Sequence, residues 1–138
     1  GWIGCQRSRM LEIKQYNQKL SPESKVICDW LLSQFKKALP GTEAKIWHGH
    51  PVWFHNGNPV VGYSQMKAGI HILFWSGQSF TNSGLTPVGK FKAAGTYIAS
   101  KKDPKIAGLG LWLKECLEIQ WDYENLPKKK KLNKLTSF

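Results

Sequence analysis

The apolar positions of the chain repeat first with a helical period, then with a strand period, then with a helical one again. Ser21-Pro22-Glu23 is a helix start, with a hydroxyl N-cap, proline at the first helical position and an acid in the first turn. Ile27, Trp30, Leu31, Gln34, Phe35 and Ala38 follow at steps of three and four, a largely apolar stripe that predicts a core-facing helix stopped by Pro40-Gly41. Before it, residues 8–19 are polar and weakly helical and read as a short arm. From Thr42 the period is two: "AKIWH", "PVWFH", "PVVGYSQ" and "GIHILFW" read as successive strands, joined by connections too short for parallel crossovers. A Gly/Ser/Thr-rich loop leads to a strand near Gly95–Ser100, and Asp103-Pro104 caps a further helical start. In "LGLWLKECLEIQWDYEN", Leu109, Trp112, Leu113, Cys116, Leu117 and Gln120 share one helical stripe, which Pro127 ends.

These elements predict an α+β single domain: an N-terminal helix, a central antiparallel β-sheet of about five strands, and a C-terminal helix. The expected organisation is an N-terminal arm over 1–21, the α+β domain over 22–126 and a basic tail over 127–138. Asn56-Gly57 suits a two-residue type I′ turn, whose central positions both need positive φ. That turn sets Val52 opposite Val61 and Phe54 opposite Pro59 on one face, with Trp53 opposite Val60 and His55 opposite Asn58 on the other. Ile70, Ile72 and Phe74 extend the first face, which is core. His71, Leu73 and Trp75 extend the second, which is neither polar nor fully apolar. A face turned to water normally carries charges, so either something covers this one or it forms a concave binding surface.

The stretches "LPGTEAKIWHGHPVWFHNGNPVVGYSQMKAGIHILFW" and "LWLKECLEIQWDYENL" resemble the YdhG-like family, a bacterial domain of unknown function. Its marks are a hairpin with an aromatic, Asn-Gly, then Pro and apolar residues, a strand preceded by glycine, and a C-terminal helix. The resemblance spans roughly residues 22–126 and implies the same α+β fold. Part of that family is described as frataxin-like, which implies iron delivery. Iron of that kind is held by clustered carboxylates, whereas this chain has nine acids and a net charge of +11. The nearest cluster, Glu115, Glu118 and Asp122, lies at helical steps beside Lys114 and reads as a solvated helix face.

Composition narrows the function. A chain of 138 residues, 41% apolar and 21% charged, fits one globular domain. No apolar run approaches the ~18 residues of a membrane span, and the opening residues lack a signal-peptide pattern. Three cysteines at unrelated spacings, Cys5, Cys28 and Cys116, suit a reduced thiol set, so the expected location is the cytoplasm. The positive surplus favours anionic partners, although Lys128, Lys129, Lys130, Lys131 and Lys134 place much of it in a tail that reads as solvated and frayed.

No nucleophile turn, phosphate loop or dinucleotide fingerprint is present, so no catalytic residue and no cofactor is assigned. His48, His50, His55 and His71 are the candidate metal ligands, since imidazoles suit Zn, Cu, Ni or Fe; none stands in an HExxH or finger spacing. The reading taken forward is a non-enzymatic binding protein for an unknown small ligand, a metal or a protein. Its candidate contacts are Trp53, His55, Tyr63, His71 and Trp75, beside the glycine-rich stretch 76–95. The alternative is nucleic acid held by Lys36, Lys37, Lys90, Lys92, Lys101, Lys102 and tail residues Lys128–Lys131, with tryptophans stacking on bases.

Overall fold

In a computed structural model, which describes residues 2–82 and 84–136 and side chains from Arg9 onward, two helices precede the sheet. They are α1 (Trp2–Gln18) and α2 (Pro22–Ala38). Ser21 caps α2 by accepting from the Ser24 N–H at 3.4 Å. Strands β1 (Glu43–Trp47), β2 (His50–His55), β3 (Asn58–Met66), β4 (Gly69–Phe74), β5 (Thr86–Pro87) and β6 (Ala94–Ile98) form one sheet in the order β1-β2-β3-β4-β6-β5. All its pairings are antiparallel. Helix α3 (Leu109–Glu118) and the single turn α4 (Leu126–Lys129) close the chain. The side chain of Cys5, and residues 137 and 138 of the tail, lie outside the described residues.

The long helices share one core with one face of the sheet, in which Ile13 of α1, Leu31 and Phe35 of α2, and Trp112 and Leu113 of α3 meet Val61, Tyr63, Ile72 and Phe74. The segment read as an arm is therefore a structural layer. Its apolar stripe was hidden because one of the positions turned inward is polar. Asn17 is fully buried, donates to Asp29 Oδ1 at 3.0 Å and accepts from the Tyr63 hydroxyl at 2.8 Å.

The hairpin corrects the predicted faces. Asn56 and Gly57 have φ of 49° and 84°, as the turn requires, and His55 faces Asn58 while Phe54 faces Pro59. Trp53, however, faces Val61, and Val52 faces Gly62. Val60 is the extra residue of a β-bulge, and both it and Val61 enter the helix-side core. A one-residue slip exchanges the two sides of a strand, so β2 alone is inverted relative to the expectation. Trp53 is core, edge-to-face on Phe35 at 4.9 Å between ring centroids. Val52 and Phe54 lie on the other face.

The C-terminal helix is shorter than its periodicity suggests. α3 ends at Glu118, Ile119 is extended, and the chain returns past the hairpin. Glu115, read as solvated, faces inward instead: it accepts from the Thr81 N–H at 3.0 Å, the Asn82 N–H at 3.3 Å and the Thr81 hydroxyl, and anchors the loop there. Asp122 is also buried. The tail is no frayed end within the described residues. Trp121 pairs with Lys134, the Leu135 N–H donates to the Gln120 carbonyl at 2.8 Å, and Lys129 lies 3.7 Å from Asp122. Lys128–Lys131 remain exposed.

Candidate functional site

Strand alternation gives the sheet face opposite the helices Lys45 and Trp47 from β1, and Val52 and Phe54 from β2. Gly62 of β3, His71 and Leu73 of β4, and Tyr97 of β6 complete it. This is the mixed face the sequence raised, and its own aromatic side chains roof it. The Trp75 ring lies across Gly62, where an added Cβ would come within 3.4 Å of it. Trp47 packs 6.1 Å from Trp75 and 5.3 Å from Phe54 between ring centroids, and 4.2 Å from His48. This cover leaves Val52 fully buried, while Trp47 and Trp75 stay half-exposed.

At the β1–β2 corner the face deepens into a hollow of about 360 Å³. One wall is Lys45, Trp47, His48 and Phe54; the other is Tyr123, Glu124, Leu126 and Pro127, with Gly57 and Pro59 between them. Asn58, the first residue after the turn, holds the two walls together. Buried beneath the hairpin, it donates to the Gln120 side-chain oxygen at 3.1 Å and the Trp121 carbonyl at 2.9 Å. Its own oxygen accepts the Tyr123 and Glu124 N–H groups at 2.9 and 3.0 Å. Trp121 is fixed from the other side, its backbone N–H on Ser76 and its indole N–H on Ser79, both at 2.9 Å. Two buried polar side chains thus turn an irregular segment into a rigid wall.

The predicted site residues separate. Trp53 and Tyr63 belong to the helix-side core, where burial holds the Tyr63 phenol far above its usual range. His55 stands at the hairpin end with Nδ1 3.0 Å from Gln120 Nε2. Trp75 and His71 do share the mixed face, and His48 lines the hollow. His71 packs 4.6 Å from Tyr97 and lines a second hollow of about 470 Å³ beside β6, one wall of which is β5 with Gly84 and Val88. His50 lies between the two. Burial lowers its pKa, a backbone hydrogen bond at Pro51 partly opposes this, and His48 adds to the lowering. His71 is lowered by burial and then by the charge of His50.

These imidazoles do not make a metal centre: among the described residues no three His, Cys, Asp or Glu side chains are placed to hold an ion. Burial pushes the Cys28 thiol up to about 12 and raises Cys116 as well, which leaves both thiols protonated and poor nucleophiles at neutral pH. No helix among the described residues is long and apolar enough to cross a membrane.

The residues missed in the sequence are Lys45, Trp47, Phe54, Asn58 and the segment 121–127. Trp47 and Phe54 alternate correctly for one face, so the signal was present; the bulge at Val60 concealed which face. Comparison with protein-family models, with curated proteins and with solved structures found no match for the chain.

Proposed function

We propose that the chain is a non-catalytic binding module, YdhG-like in type, that seats a small ring-bearing molecule in the hollow between the β1–β2 hairpin and residues 121–127. The observation that carries this reading is the hollow itself, about 360 Å³ with Trp47, Phe54, Tyr123 and Leu126 among its lining residues, on a sheet face outside the helix-side core. Pockets for small ligands have this character, apolar and aromatic walls with a few polar groups, and this volume is near the lower end of their range of about 300–1,000 Å³. The wall segment is tied down by Asn58 before any ligand arrives, so little ordering entropy opposes binding. Metal has no part in the proposal.

Titration with benzyl alcohol, an uncharged ring, tests it by calorimetry. The expected result is saturable binding that weakens about tenfold in Trp47→Ala, the loss of one stacked aromatic contact and its buried area. Equal binding by the variant contradicts the reading, as does a failure of charged and uncharged ring compounds alike to bind.

One observation favours nucleic acid as a second reading. The strands, their loops and the segment after α3 carry twelve of the twenty basic residues but only four of the nine acids. If single-stranded DNA is the partner, a Lys128–Lys131→Gln variant binds an oligonucleotide more weakly and with a shallower salt dependence. Binding indifferent to salt excludes this reading.

A further inference from the structure

We infer that the molecule held in this hollow is amphoteric, a ring that carries both a carboxylate and an ammonium group. The inference rests on the binding reading above and adds the ligand's charge class. Two opposite charges line the cavity. Lys45 Nζ stands 4.7 Å above the centre of the Phe54 ring, and no carboxylate pairs with it among the described residues. Glu124 is placed from the facing wall, its N–H anchored on Asn58, and its carboxylate occupies the space over Gly57 where a Cβ would otherwise sit. Among the described residues it pairs with no cation. The acid two residues before it, Asp122, is already engaged by Lys129 and Asn125. The other ionisable groups on the walls are the exposed His48 and the Tyr123 phenol, which accepts the Lys92 N–H at 3.0 Å.

Lys45 and Glu124 thus share a ring-sized space without forming an ion pair of their own. A neutral ring that filled it would shed water from the half-buried Lys45 and leave both charges unpaired, which costs free energy. An anion would satisfy Lys45 and face Glu124; a cation would do the reverse. A molecule with both groups answers both charges, carboxylate to Lys45 and ammonium to Glu124, while its ring lies among Trp47, Phe54 and Leu126. Gly57 serves this arrangement twice, in the turn at φ 84° and as the seat over which the Glu124 carboxylate lies.

Calorimetric titration of the full chain with four probes of one ring size tests the inference: phenylalanine, phenethylamine, 3-phenylpropionate and benzyl alcohol. Phenylalanine is expected to bind about two- to fivefold more tightly than either singly charged analogue, the scale of one partly exposed charge pair. Lys45→Met should erase its advantage over phenethylamine, and Glu124→Gln its advantage over 3-phenylpropionate, with circular dichroism checking that each variant keeps the fold. Equal affinity for all four probes overturns the inference and leaves the ring-binding reading standing. Advantages that persist in both variants also overturn it. Failure of every probe, benzyl alcohol included, overturns both.

Discussion

Asn58 concentrates four hydrogen bonds in one buried side chain, and nothing in its sequence position advertises that work. Replacing it by alanine leaves the Gln120 side chain, the Trp121 carbonyl and two backbone N–H groups to find new partners. Asn58→Ala is expected to lower stability by about 2–4 kcal/mol in urea denaturation, because buried partners left unpaired cost more than the bond was worth. It should also free the 121–127 wall. The tryptophans divide in the same manner. Trp53→Ala should cost about 3–5 kcal/mol as a core truncation, whereas Trp75→Ala, at a half-exposed ring, should cost less than half as much. Similar losses at both positions would contradict the assignment of the two faces.

Among the elements, α2, the order of the strands and the Asn-Gly turn were legible because local signals settle them: an N-cap, a period of two, and a residue pair that tolerates positive φ. The bulge was not legible. Its cause is tertiary, since the core under α2 gains Trp53 against Phe35 when β2 turns over, and no alternation of β2 alone distinguishes the two registers. α1 was misread for a related reason: Met10, Ile13 and Tyr16 face the core together with the polar Asn17, while the apolar Leu11 is exposed, so no clean apolar stripe marks the helix. If α1 is a structural layer, Ile13→Ala should destabilise the fold by about 2–4 kcal/mol, and Tyr63→Phe, which strands Asn17, by about 1 kcal/mol. A dispensable arm would show neither loss.

For the molecule as a whole, the histidines set a dependence on pH. His50 and His71 are both held below the ordinary imidazole value, so the unfolded chain takes up their protons first as the solution is acidified. Stability is therefore full above about pH 6.5 and falls as the pH drops below it, until the folded rings also titrate. Denaturation midpoints between pH 7 and 5 should show this decline, and a His50→Gln/His71→Gln variant should flatten it. The carboxylates act lower. Burial alone would raise Glu115 and Asp122, but hydrogen bonds from Thr81 and Asn82 to the first, and from Asn125 with the help of Lys129 to the second, hold both below the usual range. Their stabilisation disappears only below about pH 4.

The candidate site was half legible at this scale. The mixed face was visible in the alternation of β4, but its ligand-sized corner depends on a segment that the period of α3 assigned to a helix. The most direct measurement follows the tryptophan indole N–H resonances during titration with phenylalanine. Saturable shifts at Trp47 and its neighbour Trp75, with Trp53 unmoved in the core, are predicted. No movement at Trp47, or shifts confined to Trp53 and Trp112 on the helix side, would contradict the account.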